Sequence, residues 1–251
     1  MSGHSKWSSI KHKKGAADAK RGKLFSKLSR ALIVAAREGG PDPAANLALA
    51  NAIEKARSYS MPKDNIERAI ARGSGADSDA ESFEQVVYEG YGPNGVAVIV
   101  EALTDNRNRT ASDVRAAFSK HDGNLGGSGA VAWLFERRGL ILVDADRADE
   151  DELTLAAAEG GAEDVEQDGS SFRVTSAPEA LTAVREAIEQ SGIEVESAEL
   201  TMVPKTTVSL DDESTAKKTL RLIDALEEND DVQEVYSNFD IPERVMEAVA
   251  T

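Results

Sequence analysis

Apolar positions recur at helical spacing three times before residue 75. From Lys20 onward, Leu24, Phe25, Leu28, Ala31, Leu32, Ala35 and Ala36 fall in one sector of a wheel of about 100° per residue, while Lys20, Lys23, Lys27, Arg30 and Arg37 fill the opposite sector. This spacing predicts a helix that buries one face, presents a cationic ridge on the other and stops at Gly39 and Gly40 in a left-handed cap. Asp42 and Pro43 supply an N-cap and a first-turn proline for a second helix through Leu49, Ala52, Ile53 and Ala56. A third starts after Met61 and Pro62, runs through Ile66, Ala69 and Ile70, and ends at Gly73. The small polar tract 73–79 then reads as a linker.

Beyond it the pattern turns to strands. Residues 85–90 and 96–103 are β-rich and flank Gly92-Pro93-Asn94-Gly95, a hairpin signal. A helix is expected over 110–120, opened by Thr110 with Asp113 as a capping pair and closed by Gly123, and 130–136 reads as a further strand. Next come a strand at 140–143, a helix at 149–159, a hairpin of 164–167 with 172–175 around Asp168-Gly169, a helix capped by Ser176 and Glu179, and a strand at 195–203. That order, βαββαβ, is the split βαβ of a ferredoxin-like unit. A helix at 213–227, a strand at 232–239 and a short helix at 242–249 end the chain. The first two complete the sheet begun at 84–136, so the βαββαβ unit is inserted into it. The expected class is α+β: a basic arm and three-helix domain at 1–75, a discontinuous α+β domain at 80–137 plus 206–240, and an inserted ferredoxin-like domain at 138–205.

Charge divides these units by job. Residues 1–37 carry ten basic residues against Asp18 alone, a net +9, whereas the whole chain is −16, so the other 214 residues sum to −25. Lys6, Lys11, His12, Lys13 and Lys14, with Trp7 among them, follow no apolar period that would order them. A basic arm joined to a basic helix is a nucleic-acid footprint, with Trp7 placed to stack on a base or wedge into a groove. Residues 139–204 hold 17 acids against Arg147, Arg173 and Arg185, a net −14 that repels phosphate. Phe172 is the one aromatic on the strands there, so the stacking platform of an RNA-recognition module is missing. The acidity suits a protein partner, solubility, or keeping the arm off its own body.

Two loops invite a phosphate reading. Gly123-Asn124-Leu125-Gly126-Gly127-Ser128-Gly129 is glycine-rich, but it runs from a helix into a strand, the reverse of a nucleotide-binding loop, and no P-loop lysine follows. Arg107 and Arg109 stand just before the helix expected at Thr110, where cations oppose the macrodipole unless an anion visits. They are either an exposed loop or a second phosphate contact. Catalysis has little to stand on. His4, His12 and His121 form no metal-ligand spacing, there is no cysteine, and no nucleophile elbow occurs, so no catalytic residue, metal or cofactor is expected. A chain free of cysteine suits a reducing cytoplasm. No apolar run approaches the roughly 20 residues of a membrane span, and the basic N-terminus lacks the apolar core of a secretory signal.

The segments GHSKWSSIKHKKGAADAKRGKLFSKLSR, MPKDNIERAI at 61–70, YEGYGPNGVAVIVEALTDNRNRTASDVR at 88–115 and GNLGGSGAVAWLFERRG at 123–139 closely resemble the YebC/PmpR family, in family order and across essentially the whole chain. The resemblance implies an N-terminal helical domain and two α+β domains. It also implies a DNA-binding transcriptional regulator, or, as in relatives that include a mitochondrial translational activator, a factor that acts at the ribosome on ribosomal RNA. An enzyme using the cleft between the α+β domains is a third class. The expected reading is a cytoplasmic, non-enzymatic regulator that holds DNA or ribosomal RNA through Lys6, Trp7, Lys11, His12, Lys13, Lys14, Lys20, Lys23, Lys27 and Arg30, with Arg107 and Arg109 as further contacts.

Overall fold

The computed structural model describes residues 18–75 and 83–250. The fold is mixed α+β, a helical region followed by sheet-containing domains. Helix α1 (Asp18–Gly39) packs its apolar stripe, Leu28, Leu32, Ile33, Ala35 and Ala36, on α2 (Leu47–Ser58) and α3 (Lys63–Gly73), where Leu49, Ile53, Ala56, Ile66 and Ala69 complete one core. Gly40, at φ 86°, takes the left-handed conformation expected after α1. The second helix starts later than the Asp42-Pro43 signal suggests. Asp42 accepts from the Ala44 amide in a turn, and the cap is Asn46, whose side chain accepts from Leu49 N and donates to Ala35 O and Gly40 O. One buried amide thus satisfies both the end of α1 and the start of α2.

Strands β1 (Glu84–Tyr91) and β2 (Ala97–Thr104) form an antiparallel hairpin, followed by α4 (Arg107–Lys120) and a two-residue strand β3 (Asn124–Leu125). The chain then makes a second sheet from β4 (Phe135–Asp144), β5 (Ala162–Asp168), β6 (Ser171–Ser176) and β7 (Val195–Pro204), with α5 (Glu150–Gly160) and α6 (Leu181–Gln190) on one face. It returns through β8 (Val208–Ser209) and α7 (Glu213–Glu227) to β9 (Val232–Ser237), β10 (Phe239–Asp240) and α8 (Glu243–Ala250). The sheet orders are β3-β1-β2-β9 and β5-β6-β4-β7, with β8 and β10 as a parallel pair.

Three expectations at element ends change. The strand expected at 130–136 is not part of the first sheet. Residues Ala132–Leu134 form a 3-10 turn, and Phe135 begins a single strand running through the one expected at 140–143, so a boundary at 137/138 falls inside β4. The last strand breaks at Asn238, whose side chain accepts from Ala97 N and donates to Thr206 O, leaving Phe239 and Asp240 to pair with β8. Ser176 is a buried strand residue rather than a helix cap, and a 3-10 turn, Pro178–Ala180, leads into α6.

Strand β2 reads as an apolar run interrupted only by the half-buried Glu101 before Thr104 ends it, because both faces are covered. Val98 and Val100 join Val114, Phe118, Leu222, Ile223 and Leu226 beneath α4 and α7. On the opposite face Ala97 and Ile99 meet Val131 and Phe135, while Leu103 meets Val34 of α1 and Phe83. The helical region and the second sheet therefore share the face of the first sheet that its own helices leave open.

Close approach of α1 and α3 depends on Gly73. A Cβ there would lie 2.3 Å from the Ile33 carbonyl oxygen, whereas one on Gly22 of the same α1 would meet nothing within 4 Å. Gly73→Ala is expected to destabilise the chain by about 1–3 kcal/mol through overpacking. Gly22→Ala should raise stability by up to about 1 kcal/mol through helix propensity. Thermal melts of the two variants check the contrast, and equal shifts would refute the contact.

Candidate nucleic-acid interface

On α1 the cations Lys23, Lys27 and Arg30 stand at i, i+4 and i+7, so helical geometry places them on one stripe. That stripe is only partly open to solvent, Lys23 exposed and Lys27 and Arg30 half-buried. It lies along the C-terminal end of α7 and the acidic segment that follows, Glu227-Glu228-Asn229-Asp230-Asp231. Lys23 Nζ donates to Glu228 O at 3.1 Å and sits 3.8 Å from the Asp230 carboxylate. Lys27 Nζ donates to Glu227 O at 2.6 Å. Arg30 donates to Asp230 O and, at 2.9 Å, to Asp231 Oδ1, while its guanidinium lies 5.3 Å from the centre of the Phe83 ring. Lys23 and Lys27 thus meet the carbonyl end of a helix, where orphan C=O groups and the macrodipole favour positive charge, and Arg30 meets the segment just beyond it. Burial lowers the Lys27 pKa from the ordinary lysine value, against the opposite pull of Glu227, Glu234 and Asp230. Arg37, further along, donates to Phe83 O at 2.6 Å.

Asp231 is the centre of the arrangement. Its side chain is 5% exposed. Arg109 Nη2 donates to Oδ2 at 2.7 Å, Thr110 Oγ1 lies 2.7 Å from the same oxygen, and Arg30 takes the other. Its main-chain oxygen accepts from Leu103 N at 2.8 Å. Burial alone pushes the carboxyl upward, but the hydrogen bonds from Arg109 and Thr110 and the charges of Arg109 and Arg30 outweigh it and hold the pKa below the usual aspartate value.

This explains the arginine pair. Helix α4 begins at Arg107, not Thr110, because Asn106 caps it by accepting from Arg109 N at 3.1 Å. Thr110, expected as a cap, is fully buried under Asp231. Arg109 therefore sits in the first turn facing two carboxylates, Asp231 and Asp105, each 2.7 Å away. Arg107 is exposed and has no ion-pair partner among the described residues. Its carbonyl accepts from Tyr88 at 3.4 Å.

The glycine-rich loop also has an internal anion. Glu89, on β1, is 6% exposed and accepts from Gly129 N, Val131 N and Ala132 N at 2.7–2.8 Å. Burial raises its pKa, but those three amides win and leave it lowered. The loop so held leaves Trp133 66% exposed, with its indole N–H donating to Ala130 O, the oxygen that also accepts from Tyr91.

Sequence reasoning missed Asp231 and Glu89, each one acid among many. It also missed Lys55 of α2, which pairs with Glu234 of β9, and Arg185 of α6, which pairs with Glu54 of α2. Lys6, Trp7, Lys11, His12, Lys13 and Lys14 lie outside the described residues, as does most of the expected linker. Lys20 falls within α1. Among the described residues no group of three or more His, Asp or Glu could hold a metal ion, and no helix is long and apolar enough to cross a membrane.

Comparison with known proteins adds kinship. Residues 5–76 match the family described as "TACO1/YebC protein N-terminal domain", and 83–239 match "TACO1/YebC second and third domain". A "Probable transcriptional regulatory protein" of Rubrobacter xylanophilus is 66% identical over 250 residues, with 100% of both chains covered. One of the same name from Halothermothrix orenii is 55% identical over 251 residues, covering 99% of each. The crystal structure of a conserved hypothetical protein from Aquifex aeolicus superposes with a TM-score of 0.80 at 54% identity, covering 90% of this chain and 93% of that one.

Asp231→Asn removes the charge that Arg30 and Arg109 face and replaces one of the two acceptor oxygens by an N–H donor, and should cost about 3 kcal/mol. The folded-state pKa lies below the unfolded value of about 3.9, so the contribution is complete above that pH and is lost as pH falls through the folded value. The stability difference between wild type and variant should be flat near neutrality and shrink in acid. A difference independent of pH down to acid unfolding would refute the role given to this carboxylate.

Proposed function

The chain belongs to the TACO1/YebC family, and we propose on that footing that it is a non-enzymatic, nucleic-acid-binding regulator of gene expression that acts on DNA in the cytoplasm. The observation that carries this reading is the segregation of charge: +9 on residues 1–37 against −25 on the rest. Cations concentrated on one end supply phosphate neutralisation, and the acidic remainder keeps the duplex from spreading over the body. The name the relatives carry, with its reference to transcription, supports DNA as the target.

Within this reading, Lys6, Lys11, His12, Lys13, Lys14 and Lys20 grip the backbone and Trp7 stacks or wedges. Arg107 is a second phosphate contact, because it is exposed at the N-terminus of α4, where the helix dipole also favours an anion. Arg109 is assigned to holding Asp231. Lys23, Lys27 and Arg30 have protein partners in this conformation, so the arm and Arg107 make the first contacts. No residue is given a catalytic role.

The test is a truncation at residue 17. Removing α1 as well would take Leu28, Leu32 and Ile33 out of the helical core, whereas removal of 1–17 leaves it whole. The truncated chain should melt as the full chain does and lose its affinity for duplex DNA. The dependence of log K on log salt should fall by about 0.9 for each phosphate that is no longer neutralised. Arg107→Ser should leave the melt unchanged and reduce the same slope by about 0.9, the value of a single phosphate. Full affinity in the folded truncate would refute the arm as the binding element, and co-sedimentation with ribosomal particles at moderate salt, with no binding to duplex DNA, would replace DNA by ribosomal RNA.

A further inference from the structure

We propose that the segment 227–231 is an internal competitor of nucleic acid: it occupies Lys23, Lys27 and Arg30 in the free protein, and backbone phosphates following α1 displace it and release the helical region from the first sheet. This rests on the nucleic-acid reading above and adds to it a regulation of the same site.

The segment presents what a phosphate chain presents. Its oxygens are the carbonyls of Glu227, Glu228 and Asp230 and the carboxylates of Asp230 and Asp231, aligned along one stripe of cations. From Lys23 to Arg30 the stripe rises roughly 10 Å at 1.5 Å per residue. That is about three steps of a nucleic-acid strand at 3.4 Å each. Lys20 continues the helix toward the arm, so a strand held by Lys6 to Lys14 and carried on along α1 arrives at Lys23 and meets the segment there. One set of cations cannot satisfy both chains of oxygens.

The docked interface is also of a kind that lets go. Its apolar part is small, Ala31 and Val34 of α1 against Phe83 and Leu103. The rest is polar: the ridge itself, Lys55 with Glu234, Glu54 with Arg185, and Arg37 with Phe83 O. The Lys23 and Asp230 side chains are 54% and 63% exposed, so their attraction is screened by salt. Interfaces of this polarity within a chain generally permit relative movement of the parts they join.

The chain contains no cysteine, so Asn51→Cys on α2 and Ser214→Cys on α7, both exposed, accept a donor and an acceptor dye at defined places without touching the latch. A short DNA duplex and one of its strands alone serve as probes, with anisotropy reporting binding and energy transfer reporting separation. Saturation with a probe that binds should change the transfer efficiency. In parallel, Glu228→Gln/Asp230→Asn should tighten binding at least about fivefold, while Glu196→Gln/Asp164→Asn, the same charge change on the inserted unit, should tighten it much less. Binding without a change in transfer, or equal tightening by both double variants, overturns the competition and leaves the nucleic-acid reading standing. Failure of both probes to bind the unmodified chain overturns both.

Discussion

A buried carboxylate must find donors, and Asp231 collects them from parts of the chain that lie far apart in sequence. Arg30 comes from the first helix and Arg109 and Thr110 from the start of α4, while the Leu103 amide at the end of β2 holds the residue's main-chain oxygen. Desolvation of a carboxylate costs several kcal/mol unless it is paired and hydrogen-bonded. Undocking the helical region would therefore take away one guanidinium but leave Arg109 and Thr110 in place. The carboxylate stays satisfied within the first sheet's own unit, and the helical region contributes without being indispensable to it. The same residue resolves the oddity of a cation in the first turn of α4. Arg109 opposes the macrodipole, but two carboxylates 2.7 Å away more than offset that local cost.

Glu89 follows the same rule in reverse. The glycine-rich loop has the backbone amides of an anion-binding nest, and the protein supplies the anion itself. The last amide of the loop at 123–129, with two that follow it, and Arg109 are thus engaged by side chains of the chain's own. What is left exposed is correspondingly informative: Arg107 beside the filled site, and Trp133 on the loop that Glu89 holds.

Much of the fold was legible from periodicity. The helix at 213–227 and the strands of the inserted unit follow from apolar spacing and turn residues, because those elements bury one face each and the sequence records which. Periodicity places Lys23, Lys27 and Arg30 on one stripe but says nothing of what covers it, since the partner oxygens are 200 and more residues away and three of them are main-chain carbonyls without a side-chain signature. Capping rules failed where tertiary contacts competed. Thr110 is a good N-cap, yet burying its hydroxyl against Asp231 shifted the cap to Asn106. The strand expected at 130–136 failed for a related reason. Three amides at 129–132 belong to Glu89 and cannot join a ladder until Phe135.

The acidic unit shows how completely the charge division is carried through. Its three bases are all committed: Arg147 to Glu194 and Asp144, Arg173 to Glu166, and Arg185 to Glu54 across the junction with α2. A phosphate approaching that unit meets carboxylates whose counter-charges are already engaged. The first sheet's unit is different, because Arg107 stands unpaired among the described residues on the same helix end that carries Arg109 and faces the segment docked on α1. Arg30 of the ridge bonds Asp231 directly, as does Arg109, which follows Arg107 by two residues in the first turn of α4. Cations that the sequence sets far apart, Arg30 on the first helix and Arg109 at the start of α4, are brought by the fold to one carboxylate, Asp231.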